Sequence, residues 1–156
     1  MNFPAWETEN SKTQFHASPF KPPSAAFAAL VFAWNDDQVL LADIEGRGWC
    51  IPSGRIEAGE TSEVAVRREA LEEAGATLGN LTYLGSYEIT SSGQSRWAEC
   101  FVTSVGSLGD IGKPEESKGR RFISIHELPS LYFQWTPLIE AVFKHSFEIY
   151  CLSDQV

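Results

Sequence analysis

Apolar residues in the first third of the chain follow the pattern of paired strands. Residues 25–34 (AAFAALVFAW) form a continuous apolar run between turn residues, which is typical of a buried strand. Residues 35–37 (NDD) favour a turn, and residues 38–44 (QVLLADI) are again apolar. Together these segments predict a β-hairpin. Residues 49–51 predict a short extended piece that Pro52 ends.

The next segment has helical signals at both ends. Thr61 or Ser62 can cap the first turn, and Glu63 suits the positive end of the helix dipole. Gly75 is placed to end the helix. The sequence therefore predicts a helix of about three to four turns between these positions.

Later segments predict more strands and one more helix. Residues 81–90, 96–105 and 120–125 have strand-like patterns, whereas the Gly- and Ser-rich residues 106–119 predict a loop. Pro137 can begin a terminal helix with an apolar stripe. Because strands outnumber helices and one long helix lies between them, we expect an α+β or α/β/α sandwich with a mixed sheet.

Three carboxylates share one face of the first predicted helix. At about 100° per residue, all three fall within roughly 100° of one another: Glu69, Glu72 and Glu73. Like charges four residues apart destabilise an isolated helix by roughly 0.2–0.5 kcal/mol, and a divalent cation would remove that repulsion. The opposite face is expected to bind the sheet through Val64, Leu71 and Ala74.

Charge and cysteine content narrow the classes of function. A formal net charge of −9 argues against a surface that coats nucleic acid. Negative charge would also repel phosphate esters, so a cation is expected between the protein and such a substrate. The odd number and wide spacing of Cys50, Cys100 and Cys151 predict reduced, buried thiols rather than disulfides or a zinc site.

The chain length indicates one compact domain. A length of 156 residues is close to the usual domain size, and residues 24–156 are expected to form it. Residues 1–23 carry four prolines and predict an arm without regular structure, whose aromatic residues pack on the same chain or on a second subunit. No membrane-spanning segment or secretory signal is evident, so we expect a cytoplasmic location.

Seven residues between positions 54 and 76 have the spacing of a known signature. They are Gly54, Glu60, Arg68, Glu69, Glu72, Glu73 and Gly75. Such a coincidence should arise by chance less than about once in a million trials. The segment resembles the Nudix box of metal-dependent hydrolases that cleave nucleoside diphosphates linked to another moiety. The resemblance implies the Nudix fold, a curved mixed sheet between helices.

The resemblance also implies Mg²⁺ as the cofactor, with Mn²⁺ as a substitute. The implied metal ligands are the helix carboxylates and two residues of the preceding loop: Glu69, Glu72, Glu73, Gly54 (through its carbonyl) and Glu57. Arg68 lies four residues before Glu72 and can orient that carboxylate, as the equivalent arginine does in the family. Glu60 is assigned to bracing the loop, with direct ligation as the alternative.

The general base stays open between two carboxylates. Glu69 is one candidate. The other is Glu116, beside Glu115, which matches an acid that family members often place before a late strand. Glycines would let this segment fold over bound substrate. The alternative is that both loop acids are ordinary surface residues.

The sequence leaves the substrate class broad. Features typical of enzymes that cleave ADP-ribose, coenzyme A or NADH are absent, which leaves nucleoside triphosphates, oxidised ones included, small dinucleotides and nucleotide sugars. Trp49, Tyr87 and Trp97 either stack on a base or belong to the core. The expected partner is a small-molecule nucleotide, with no nucleic acid and no membrane, and a homodimer is favoured. The alternative function is a Nudix-fold module that binds a nucleotide without turnover.

Overall fold

A computed structural model describes residues 2–153. The strands are β1 (Trp6–Glu7), β2 (Ser11–Ala17), β3 (Ala28–Asn35), β4 (Gln38–Ile44), β5 (Gly48–Cys50), β6 (Ser53–Arg55), β7 (Ala76–Leu78), β8 (Thr82–Ser91), β9 (Gln94–Leu108) and β10 (Ser117–Ser124). The helices are α1 (Ser62–Ala74), α2 (Leu128–Leu131) and α3 (Pro137–Ser153).

The strands form a mixed sheet, as the sequence predicts. Its order is β1-β2-β8-β9-β3-β4-β10, while β5, β6 and β7 pair with β4, β3 and β9. The central pair, β3 and β9, is parallel, and the other pairs are antiparallel. The predicted hairpin of β3 and β4 is confirmed, with Trp34 opposite Val39.

The two faces of β3 bury different helices. Val31 and its small neighbours Ala29 and Ala33 belong to clusters on the α1 side. Phe32 and Trp34 belong to the large cluster that contains the α3 residues. Alternate side chains of a strand point to opposite faces, so one apolar run supplies both cores of an α/β/α sandwich.

The ends of α1 are those that the sequence predicts. The Thr61 hydroxyl accepts a hydrogen bond from the Val64 amide at 3.2 Å, which makes Thr61 the N-cap. Gly75 ends the helix with φ 63° and ψ 28°, a left-handed conformation that glycine adopts at little cost. Its amide donates to the carbonyls of Ala70 and Leu71.

The prediction that Val64 and Leu71 bind α1 to the sheet is wrong. Their side chains are 52% and 48% exposed. The buried arc is instead Ala65, Val66, Glu69, Ala70, Glu73 and Ala74, so of the three predicted contacts only Ala74 faces inward. The small alanines let the helix lie close to the sheet. Because the helix turns this face inward, Glu69 and Glu73 are buried with the alanines.

The prediction that residues 1–23 lack regular structure is also wrong. β2 pairs with β8 from Ser11↔Ser91 to Ala17↔Gly85, and β1 pairs with β2. Phe15 is only 6% exposed and belongs to the large core cluster. Backbone pairing to a neighbouring strand satisfies the amides of this polar segment, which the local composition does not reveal.

Two shorter predictions are adjusted. The predicted loop at 106–119 narrows to 109–116, because β9 continues to Leu108 and β10 begins at Ser117. Cys50, Cys100 and Cys151 are free thiols, of which the first two are buried and the last is partly exposed. Among the helices of the described part of the chain, none is long and apolar enough to cross a membrane.

Removal of the Phe15 side chain should destabilise the protein, since the ring packs edge-on against Phe3 and Tyr87 at 4.8 and 5.3 Å. We expect Phe15→Ala to lower the free energy of unfolding by about 3–5 kcal/mol in urea titrations. Lys12→Ala, exposed on the same strand, should change it by less than about 1 kcal/mol. Equal effects of the two variants would contradict the assignment of β2 to the folded core.

Candidate active site

The Gly54 loop lies directly over the inner face of α1. β6 pairs with β3 through Gly54↔Ala29, which fixes the loop against the sheet. A Cβ atom added at Gly54 would collide with the carboxylate of Glu69. A larger residue here would displace that carboxylate, so glycine lets Glu69 keep its position under this segment, and the loop and the helix form one site.

Glu69 and Glu73 are buried under this loop. They are 9% and 7% exposed, one helical turn apart. Burial raises the pKa of both carboxyls, that of Glu73 from its usual 4.5 to about 8. The Ser53 amide donates to Glu73 Oε1 at 3.0 Å and partly opposes this rise. The pair therefore favours a bound proton or a nearby cation.

Arg68 joins the loop to the helix through carboxylates. It donates to both oxygens of Glu60, from Nε to Oε2 at 2.7 Å and from Nη2 to Oε1 at 2.9 Å. Its Nη1 also donates to Glu69 Oε1 at 2.8 Å and to Glu72 Oε2 at 3.2 Å. The predicted contact with Glu72 is present, but Glu60 is the bidentate partner.

Glu60 links Arg68 to the backbone of the loop that precedes α1. The hydrogen bonds from Arg68, and then the one from the Glu57 amide at 2.9 Å, lower the pKa of Glu60 to about 2. The Glu57 side chain is exposed, and its Oε1 lies 3.7 Å from Arg68 Nη1. Four carboxylates, those of Glu57, Glu60, Glu69 and Glu72, thus surround the single guanidinium of Arg68.

An acid-lined cavity of about 440 Å³ opens beside Glu69 and Glu73. Its lining is Ile44, Glu45, Arg47, Ser53, Gly54, Glu69, Glu73, Glu115 and Glu116. The structure thus brings Glu116 to the same cavity as Glu69, although 47 positions separate them in sequence. Glu57 and Glu72 lie outside this lining, and the Glu72 Oε2 is 3.6 Å from Lys113 Nζ.

The 109–116 loop is held against the end of α1. The amides of Gly112 and Lys113 donate to the carbonyls of Leu71 and Glu72 at 3.0 and 2.8 Å. The carbonyl of Glu116 accepts from the Glu45 amide at 2.8 Å, which ties the loop to the end of β4. The last carbonyls of a helix need hydrogen-bond donors from elsewhere. Because the loop supplies those donors, Glu115 and Glu116 lie at the cavity.

The donor set suits a hard divalent cation. Such cations prefer oxygen ligands, and five glutamates line the cavity. Two of them, Glu69 and Glu73, are buried beside each other. Within residues 2–153, no three His, Cys, Asp or Glu side chains are grouped closely enough to hold one metal ion. Arg68 contributes to the separation of these ligands, because its Nη1 hydrogen-bonds to one oxygen of Glu69 and one of Glu72.

An apolar cavity of about 510 Å³ adjoins the acid-lined one. The two share Arg47, Ser53 and Gly54. The apolar lining includes aromatic rings from distant segments, such as Phe27, Tyr87, Tyr132 and Phe133. Sequence reasoning singled out Tyr87 alone of these, because no local pattern marks residues that meet only in the folded chain.

The two tryptophans named with Tyr87 lie elsewhere. Trp97 is 7% exposed and packs near His16 and Phe20, with ring centroids 6.0 and 5.5 Å apart. Trp49 lies under Arg121, whose guanidinium carbon is 5.7 Å from the ring centroid. Neither tryptophan lines the apolar cavity.

The raised pKa of Glu73 predicts how stability depends on pH in EDTA. Between about pH 4.5 and pH 8 the folded chain holds a proton that the unfolded chain has lost, so its free energy of unfolding should fall as pH rises. Glu73→Gln, which keeps an acceptor for the Ser53 amide, should reduce this fall. Glu63→Gln, exposed on the same helix, should not. Parallel urea titrations across this range measure the difference, and identical slopes in the parent chain and Glu73→Gln would contradict it.

Comparisons with known proteins agree with this architecture. The sequence profile of the NUDIX domain matches residues 24–145. A Bacillus subtilis (strain 168) protein named provisionally as an 8-oxo-dGTP diphosphatase, YtkD, is 33% identical over 90 residues, which cover 58% of this chain and 56% of that protein. A Caenorhabditis elegans protein named provisionally as nudix hydrolase 1 is 44% identical over 74 residues, which cover 44% of this chain and 20% of that protein.

Solved structures show the same fold. A point mutant of the Bacillus subtilis pyrophosphohydrolase BsRppH superposes with a TM-score of 0.71 at 24% identity, over 92% of this chain and 94% of that one. A NUDIX hydrolase from Nitrosomonas europaea superposes with a TM-score of 0.68 at 24% identity, over 80% of this chain and 90% of that one. The predicted Nudix fold is confirmed. Since the family profile covers most of the chain, this protein belongs to the Nudix family.

Proposed function

We propose that the protein is a Mg²⁺-dependent hydrolase that cleaves a diphosphate linkage in a nucleoside diphosphate derivative. One observation carries the proposal: the buried carboxylates of Glu69 and Glu73 lie at an acid-lined cavity that adjoins an apolar one. The apolar cavity suits a nucleobase, and the acidic one suits phosphates accompanied by cations. Both lie in a chain of the Nudix family.

The proposed substrates are nucleoside triphosphates, oxidised ones included, with small dinucleotides and nucleotide sugars as further members of the class. The 8-oxo-dGTP diphosphatase name of the B. subtilis relative supports the first group. An apolar cavity of about 510 Å³ falls within the usual range of roughly 300–1,000 Å³ for ligand pockets. A base and its sugar therefore have room there.

The residues proposed to hold the metal are Glu69, Glu72, Glu73, the Gly54 carbonyl and Glu57. When bound, Mg²⁺ or Mn²⁺ would neutralise charge on the phosphates and activate a water molecule. Arg68 is proposed as a positioning residue that orients the carboxylates of the helix from its anchor on Glu60. Glu72 would have to exchange its contact with Arg68 for the metal, or share its second oxygen.

Proton transfer needs a carboxylate that faces the attacking water. Glu69 and Glu116 both line the acid-lined cavity, and both are proposed candidates. Glu69 is buried and bound to Arg68, whereas the side chain of Glu116 is exposed at the edge of the cavity. The exposed acid is free to meet a water molecule, so Glu116 is the preferred base in this proposal.

The direct test of the function is hydrolysis of a nucleotide panel with product identification. The parent chain should release product with Mg²⁺ and not with EDTA. Glu72→Gln should lower the rate by at least about 10²-fold, because the loss of several kcal/mol of charge stabilisation costs tenfold for each 1.36 kcal/mol. Tight nucleotide binding without any product would instead support a binding module without turnover.

The assignment of the base has its own test. Glu116→Gln should lower the catalytic rate by about 10²–10⁴-fold with little change in the affinity for Mg²⁺ measured by calorimetry. Glu69→Gln should weaken both, since a ligand also holds the resting site together. Glu115→Gln, next to Glu116 in the same cavity lining, is the matched control and should retain most of the activity. A Glu116→Gln enzyme as fast as the parent would return the role to Glu69.

A further inference from the structure

Arg47 is the charged residue at the junction of the two cavities. It lies in the turn between β4 and β5, where its amide donates to the Ile44 carbonyl at 2.9 Å. Of the three residues that line both cavities, Ser53 and Gly54 are uncharged. Arg47 is also the only basic residue in the lining of the acidic cavity among residues 2–153. A ligand that spans both cavities must pass this side chain.

The guanidinium of Arg47 is weakly engaged by the protein. Its Nη1 lies 3.9 Å from Cys50 Sγ, and its Cζ lies 5.8 Å from the centroid of the Phe133 ring. No ion pair in the described part of the chain includes it. Three other arginines, Arg67, Arg68 and Arg120, donate to backbone carbonyls or carboxylates at 2.7–3.1 Å. Apart from the long hydrogen bond to Cys50 and its attraction to Glu73, the donors of Arg47 are therefore open to a ligand.

We propose that Arg47 is a phosphate-binding residue. Its guanidinium donates hydrogen bonds to the diphosphate of a nucleotide whose base lies in the apolar cavity. This inference rests on the proposed function and adds the residue that links the two ends of the substrate. A planar guanidinium can donate to two phosphate oxygens at once, and those bonds are charge-assisted. The ring of Phe133, 45% exposed in the lining of the apolar cavity, lies 5.8 Å from the guanidinium carbon, within the range of a cation–π contact.

The surrounding acids explain why a cation is needed at this point. Glu45, Glu69, Glu73, Glu115 and Glu116 would repel a bare phosphate chain. Divalent ions are proposed on the carboxylate side, whereas Arg47 offers fixed positive charge on the apolar side. The phosphates would then lie between the two, with the base beyond Arg47.

The test is a binding measurement that does not depend on turnover. Affinities of the parent chain and Arg47→Ala are measured by calorimetry with Mg²⁺ for the α,β-imido analogues of dGTP and dATP and for the two nucleosides. Arg47→Ala should lower the affinity for the tighter-binding analogue by about 10–100-fold, because a hydrogen bond to a charged group is lost. It should leave the affinity for the nucleoside unchanged.

Arg121→Ala is the matched control. Arg121 also lies over an aromatic ring, that of Trp49, but lines neither cavity, and its removal changes the net charge equally. This variant should bind the analogue and the nucleoside as the parent chain does. An equal loss in both variants would overturn the inference, because it would reflect net charge alone.

The remaining outcomes are also decisive. Unchanged analogue binding by Arg47→Ala, an equal loss for analogue and nucleoside, or no analogue binding by the parent chain would each overturn the inference. Hydrolysis by the parent chain is scored separately. A parent chain that binds the analogue through Arg47 but hydrolyses no nucleotide would refute the proposed function and leave the phosphate-binding role of Arg47 standing.

Discussion

The burial of two glutamates on the inner face of α1 is the constraint on which the whole site depends. Glu69 and Glu73 face the sheet side of the helix, where a core residue would ordinarily lie. Two carboxylates in so little water are costly unless donors or cations compensate for them. The Ser53 amide and Arg68 supply part of that compensation. The remaining negative charge favours a cation, which can reach the two carboxylates from solvent through the cavity.

Small residues make this burial compatible with a close-packed helix. Ala65, Ala70 and Ala74 on α1 are fully buried, as are Ala29 and Ala33 on the facing side of β3. Short side chains on both elements bring the backbones together, and Gly54 lets the loop approach without a clash. The packing on this side of the sheet thus positions the carboxylates, whereas the core on the α3 side contains the largest fully buried side chains, Trp34, Phe32 and Phe143.

The site is assembled from segments that are tied together by backbone hydrogen bonds. The 109–116 loop satisfies carbonyls at the end of α1, and Glu116 and Glu45 join that loop to the end of β4. The turn after β4 carries Arg47, and the segment after α2 carries Phe133. Acidic groups thus line one cavity and aromatic groups the other, and Gly54 belongs to the lining of both. A ligand with one anionic and one apolar end is the chemical match to that division.

The family, the principal strands and both ends of α1 are predictable from the sequence, because signals such as Thr61, Gly75 and the spacing of the box act over a few residues. The buried face of α1 and the strand at residues 11–17 are evident only in the folded chain. The same holds for the contact that anchors Arg68 on Glu60. The strand depends on a partner distant along the chain, the buried face on how closely two backbones approach, and the Arg68 contact on how the preceding loop folds back over the helix. None of these leaves a periodic trace in the local sequence.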